Sequence, residues 1–163
     1  ECPARRVLLI AWHSRTGASR AMAEAAFAGA QGRARIVAAV DAAPADLLAA
    51  SGYLFACPEN LGTMSGPMKD LFDRCYYPLL GRIEGRPYAT MIAAGSDGQG
   101  AQAQLDRIVT GWRLRRVAEP LIARLDAQSP EAILANKVVP DQILARCSDL
   151  GAAMAEAIAQ GIF

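Results

Sequence analysis

The chain has 163 residues, with 17 Lys and Arg against 16 Asp and Glu, for a formal net charge of +1. That balance offers no bulk attraction for nucleic acid. No apolar run approaches the ~20 residues that a membrane span needs, and the length suits one domain, 1–163, around one core. The opening ECPARR has no signal-peptide pattern and no methionine. Four cysteines, Cys2, Cys57, Cys75 and Cys147, and one histidine, His13, form neither a C-x-x-C pair nor a zinc spacing. Cys57, Cys75 and Cys147 sit in apolar runs and read as small core residues, which fits a reducing cytoplasm.

Val7 to Trp12 is the first continuous apolar run, the pattern of a strand covered on both faces. It breaks into HSRTGAS, His13 to Ser19, and an alanine-rich helix follows from about Ala18 to Ala30, with Gly32 as its stop. A second run at Ile36 to Val40 precedes a short helix around Pro44 to Ala50 and a third run at Tyr53 to Cys57. The loop PENLGTMSG, Pro58 to Gly66, leads into a helix with Met68, Leu71, Phe72 and Cys75 on one face. Tyr88 to Ala94 is the fourth run. It is followed by GSDGQG and by a helix carrying Ala101, Leu105, Ile108, Val109 and Trp112 on one face. The fifth run, Val117 to Ile122, contains Pro120, which cannot donate to a ladder and so marks an edge strand. Arg124 to Val139 reads as an irregular surface excursion. Pro140-Asp141 then opens a last helix with Ile143, Cys147, Leu150, Met154 and Ile158 in register.

This alternation predicts an α/β, doubly wound, five-stranded parallel sheet of order 2-1-3-4-5 with helices on both faces. Ligands of such sheets bind outside the carboxyl ends of the strands, where the order reverses between strands 1 and 3. Three loops converge there. In the first, Ser14, Thr16 and Ser19 supply hydroxyls, Gly17 lets the backbone turn around an anion, and the N–H groups of Gly17, Ala18 and Ser19 lie at a helix start. Arg15 adds charge or points to solvent. The loop has no G-K-[ST] and no G-x-G-x-x-G, which disfavours a nucleoside triphosphate; a Ser/Thr-rich helix cap without ligand is the competing reading. In the second loop Asn60 and Thr63 offer polar contacts, Ser65 or Gly66 caps the next helix, Met64 fills a core gap, and Glu59 reads as solvated. The third, Gly95 to Gly100, exposes N–H groups and lets a ring approach the backbone, with Asp97 as a turn former. An acidic cluster at the end of strand 1, as in a response regulator, is lacking, and so is the C-x5-R loop of a phosphatase.

SRTGAS is similar to the phosphate loop of the flavodoxin superfamily, [ST]-x-T-G-x-[ST]. PENLGTMSGPMKDLFDR resembles the second-loop segment of flavodoxin-like NAD(P)H-dependent FMN reductases and quinone reductases, and AGSDGQGA resembles the third flavin loop. The resemblance runs through nearly the whole chain and implies FMN. Ser14, Arg15, Thr16, Gly17, Ala18 and Ser19 would hold the 5′-phosphate. Pro58, Glu59, Asn60, Leu61, Gly62 and Thr63 would flank the ribityl chain and the N5 side of the ring. Gly95, Ser96, Asp97, Gly98, Gln99 and Gly100 would meet its pyrimidine edge. Lys69, Asp73 and Arg74 match helix positions of that segment and read as braces of the helix.

The resemblance implies NAD(P)H as co-substrate, a quinone or other small molecule as electron acceptor, and a homodimer. Neither Pro58 to Gly66 nor Gly95 to Gly100 holds an aromatic residue to cover the flavin, and the charge is not acidic, so a reductase is favoured over a carrier. The alternatives are a one-electron carrier flavodoxin serving a protein partner and a non-catalytic flavodoxin-like binding domain. No catalytic acid or base and no metal ligand is assigned. His13 reads as framing the ligand or as structural, and Trp12 as core. Tyr76, Tyr77, Leu79 and Leu80 form an interface, a rim over the flavin, or a patch tucked under the sheet, and Arg113, Arg115 and Arg116 read as solvated, with contact to a phosphate of NADPH as the competing reading.

Overall fold

The computed structural model describes residues 6–163. Glu1 to Arg5, with Cys2 and most of the opening ECPARR, lie outside the described residues. In chain order the elements are β1 (Leu8–Trp12), α1 (Ala18–Gly29), β2 (Ala34–Ala38), α2 (Pro44–Ala49), β3 (Gly52–Asn60) and β4 (Thr63–Met64). They continue with α3 (Gly66–Leu79), β5 (Pro87–Ala94), α4 (Gln99–Gly111), β6 (Arg115–Arg116), β7 (Leu121–Arg124), α5 (Pro130–Leu134) and α6 (Asp141–Gln160).

The main sheet runs β2-β1-β3-β5, and β6 and β7 both pair with the outer edge of β5. These pairings are parallel, with Ile10 between Ile36 and Leu54 at its centre. The expected order 2-1-3-4-5 is therefore the observed one, with the fifth place shared by two short strands. β6 aligns Arg115 and Arg116 with Pro87 and Tyr88; β7 aligns Leu121 to Arg124 with Met91 to Ala94. The break between them ends at Pro120, which has no N–H to give, and only an edge tolerates it.

Three strands differ in their bounds from the sequence reading. Of the fifth run, Val117 to Ile122, Leu121 and Ile122 are in a strand, and Val117 to Pro120 form the break between β6 and β7. β2 starts at Ala34 and stops at Ala38, leaving Val40 63% exposed in a turn. β3 continues past Cys57, because Glu59 and Asn60 pair antiparallel with Met64 and Thr63. What reads as a long loop is a hairpin extension of the strand, closed by Leu61 and Gly62 at φ of 54° and 77°. A two-residue hairpin of type I′ needs positive φ at both turn positions. Leucine is a costly choice there, by about 1–2 kcal/mol.

Within the continuous apolar runs, alternate side chains serve opposite faces. Leu9, Ala11, Tyr53 and Phe55 pack with α2, α3 and α4, while Leu8, Ile10, Leu54 and Ala56 pack with α1 and α6. Phe55, Phe72 and Trp112 form a tilted aromatic chain at centroid spacings of 5.2 and 5.6 Å, and the Trp112 indole N–H donates to the Tyr76 carbonyl at 2.9 Å. Cys57, Cys75 and Cys147 are buried thiols, as read; burial pushes Cys57 up to about 12 and Cys147 up to about 11.

On the other face α1 and α6 meet through small residues. A methyl group added at Gly151 would collide with the Ala26 carbonyl, and one at Gly29 with the Ser148 carbonyl. The alanine-rich face of α1 thus permits backbone-to-backbone approach. Gly151→Ala gains about 1 kcal/mol of helix propensity but forces rigid backbones apart, which we expect to cost about 1–3 kcal/mol. Calorimetry should give a lower Tm for Gly151→Ala. Gly66→Ala, where nothing lies within 4 Å of the added methyl, should keep or raise it.

Candidate functional site

The loops after β1, β3 and β5 surround a cleft of about 500 Å³ at the carboxyl ends of the strands. Its floor is the end of β5, where Ala93 and Ala94 leave room that larger side chains would fill.

The first loop ends in Gly17, which has φ of 95° and is the N-cap residue of α1; no side chain caps the helix. The Gly17 N–H donates to the Ser14 hydroxyl at 3.0 Å. Leading N–H groups of a helix have no intrahelical acceptor and carry its positive dipole end. Ser19 deepens that demand. It is 1% exposed, lines the cleft, and its hydroxyl has no hydrogen-bond partner among the described residues. An unsatisfied buried hydroxyl costs about 1–3 kcal/mol. Ser14, Arg15, Thr16, Ala18 and Ser19 all line the cleft, and Gly17 supplies the turn between them.

From the second loop Pro58 to Gly62 line the cleft; Thr63 does not, and its hydroxyl faces its own backbone. Glu59 departs from the solvated role expected of it. One carboxylate oxygen accepts the Gly98 N–H at 2.9 Å and the other the Ala101 N–H at 3.0 Å. A side chain from β3 therefore caps α4, where a carboxylate suits the dipole. The Met64 N–H also donates to Gln104 on α4 at 2.9 Å, and Met64 itself is buried in the core. Of the third loop, Gly95 and Ser96 line the cleft, while Asp97, Gly98, Gln99 and Gly100 stand behind it at the start of α4. A side chain at Gly100 would collide with the Gly62 carbonyl, so this glycine serves loop-to-loop contact. Leu61, at the hairpin tip, is 103% exposed at the cleft mouth.

Part of the wall escaped the sequence reading. The Arg124 to Val139 excursion folds back across the first loop, and Leu125, Ala127, Ile133, Leu134 and Lys137 face the cleft. Ser129 caps α5 by accepting the Ala132 N–H at 3.1 Å, and the Lys137 N–H donates to the Thr16 carbonyl at 2.8 Å. Ser129-Pro130-Glu131 was the legible sign of a helix start; nothing local shows where that helix docks.

His13 lies between β1 and α3, with Nδ1 2.8 Å from the hydroxyl of buried Ser65. Ser65 is the N-cap residue of α3 but makes no side-chain cap, since its hydroxyl serves His13. Burial, and then the Arg15 charge, hold His13 below its ordinary value, so the imidazole is neutral near pH 7. Trp12 packs against the α1 face, with the Arg20 guanidinium 5.5 Å from its ring. Lys69 with Asp73 and Arg74 with Asp70 are i,i+4 pairs along α3. Tyr76 is tucked against Trp112, Tyr77 and Leu80 are exposed, and Leu79 is buried, so the suspected patch divides. Arg113, Arg115 and Arg116 are exposed.

A family model described as NADPH-dependent FMN reductase matches residues 26–124, more than half of the chain. The match begins inside α1, so the first loop stands on its geometry. A flavodoxin of Aquifex aeolicus (strain VF5) is 30% identical over 107 residues, which are 63% of this chain and 58% of that protein. Among solved structures, the WrbA-like flavodoxin from Agrobacterium tumefaciens superposes with a TM-score of 0.76 at 20% identity, covering 95% of this chain and 98% of that one. A flavodoxin from the domain Archaea gives 0.74 at 17% identity, covering 93% and 97%. These structural likenesses give the flavodoxin-like fold. The family match, over more than half of the chain, shows that the chain belongs to the NADPH-dependent FMN reductase family.

Proposed function

We propose that this protein binds FMN in the cleft and uses it to pass electrons from NAD(P)H to a quinone or another small acceptor. The observation that carries the reading is the Ser19 hydroxyl, buried without a partner at an uncapped helix N-terminus. An anion with several acceptor oxygens meets both demands at once. The residues present fit the phosphate of FMN: Ser14, Thr16 and Ser19 would donate hydroxyls, and the N–H groups at the start of α1 would donate from the backbone.

FMN, when bound, supplies hydride acceptance and donation. The protein's part is to hold and orient. Pro58 to Gly62 with Gly95 and Ser96 would frame the ring system, Glu59 fixes the distance between those two loops, and Ala93 and Ala94 leave its bed flat. Among the described residues, no aromatic side chain lines the cleft. The apolar rim of Leu61, Ile133 and Leu134 leaves a face for a planar partner, which supports a reductase over a carrier. A small-molecule acceptor, a homodimer and a reducing cytoplasm belong to the same proposal. The second reading, a carrier serving a protein partner, is favoured by the flavodoxin relative and opposed by the near-neutral charge.

The first test is FMN titration of the purified protein, followed by NADPH oxidation with a soluble quinone. Retained flavin absorbance and quinone-dependent NADPH turnover are expected. Retained flavin without NADPH turnover would select the carrier, and no binding at high FMN would overturn both readings. Ser19→Ala should weaken FMN about tenfold, the equivalent of ~1.4 kcal/mol. It should leave the Tm of the flavin-free protein unchanged or raised, because the orphaned hydroxyl is gone. Glu59→Gln keeps one acceptor and loses the charge at the α4 N-terminus. We expect it to lower Tm by the equivalent of about 1–2 kcal/mol and to weaken FMN, as read by calorimetry and by the same titration.

A further inference from the structure

The end of the cleft nearest α1 carries two cations that no carboxylate among the described residues balances. Arg15 and Lys137 both line it, and neither joins an ion pair among the described residues. Glu59 is the acidic residue of the cleft wall, and both its oxygens are engaged by Gly98 and Ala101 in the opposite loop.

The two cations differ in how they are held. Arg15 is exposed, and no hydrogen bond fixes its guanidinium among the described residues. Lys137 is half-buried, its ammonium donates to the Ile133 carbonyl at 2.9 Å and the Ala135 carbonyl at 2.6 Å, and its own N–H is bound to Thr16 at 2.8 Å. An ammonium has three donors. Two carbonyls orient the head without neutralising it, and one N–H remains to give. A partly buried charge is also less screened than an exposed one. Ser19, unpartnered and buried on the same wall, is a separate sign that an acceptor-rich group belongs there.

We infer that Lys137, carried across the first loop by the Arg124 to Val139 strap, is a ligand of the FMN phosphate and gives the site the fixed positive charge that Ser14 to Ser19 do not hold in place. This rests on the FMN reading above. Hydroxyls and N–H groups recognise the shape of a phosphate; an oriented ammonium adds selectivity for its charge. The strap thereby becomes part of the cofactor site, and one residue far along the chain should share with the first loop the separation of FMN from riboflavin.

The test compares FMN with riboflavin, which lacks the phosphate, by fluorescence titration of the flavin-free full chain as wild type, Lys137→Met and Lys137→Arg. Lys137→Met is expected to weaken FMN about tenfold, leave riboflavin unchanged and flatten the decline of FMN affinity with salt. Lys137→Arg is expected to restore most of the difference. Thermal shifts with inorganic phosphate against chloride at equal ionic strength should stabilise wild type and not Lys137→Met. Equal weakening of both flavins would make Lys137 a brace for α5 and overturn the inference, as would no change for either. Wild type binding neither flavin would overturn the FMN reading itself and this inference with it, whereas FMN binding that is insensitive to Lys137 would overturn the inference alone.

Discussion

The reversal of strand order at β1 and β3 governs everything else in this protein. β2 lies on one side of β1, and β5 lies beyond β3 on the other. Right-handed crossovers send the connections from β1 and β3 to opposite faces of the sheet, and the chain obeys this: α1 covers one face and α3 the other. The loops leaving those strands must diverge, and a crevice opens between them. The cleft exists because the backbone cannot close it.

What lines that crevice follows from two kinds of close contact. Small residues set distances: alanines at the end of β5 lower the floor, and Gly100 lets two loops touch by backbone. Polar groups set register: Glu59 binds the β3 hairpin to the N-terminus of α4, and Lys137 binds the strap to the first loop. Against these satisfied contacts, the unsatisfied ones stand out. The Ser19 hydroxyl, the open start of α1 and two cations that join no ion pair among the described residues lie at one end of the cleft. A folded chain tolerates such a concentration of unmet polar groups where a ligand meets them.

The strained tip of the β3 hairpin belongs to the same picture. Asparagine or glycine would sit at the Leu61 position at less cost, and a polar side chain would suit its full exposure. An apolar residue in left-handed conformation at the mouth of a cleft is an expense of folding that core packing does not explain, since Leu61 packs into neither core cluster.

The sequence by itself determined the sheet order, the helices that cover it and the glycine turn that opens α1, because these depend on local periodicity and on short-range backbone chemistry. Continuous apolar runs give buried strands, alanine and i,i+4 spacing give helices, and Gly17 followed by Ala18 and Ser19 gives a helix start fit for an anion. Pro120 alone marked the edge, and the structure breaks the strand beside it. Tertiary structure decided the rest. Glu59 caps a helix that begins 40 residues later in the chain, at Gln99, and a solvated glutamate and a capping one look the same in one dimension. The Arg124 to Val139 segment has weak periodicity of its own, so its path is set by where β7 leaves the sheet and by one hydrogen bond to Thr16. Contacts between residues more than 100 positions apart, such as Lys137 with Thr16, are made by the packing of elements, and no local pattern of side chains encodes them.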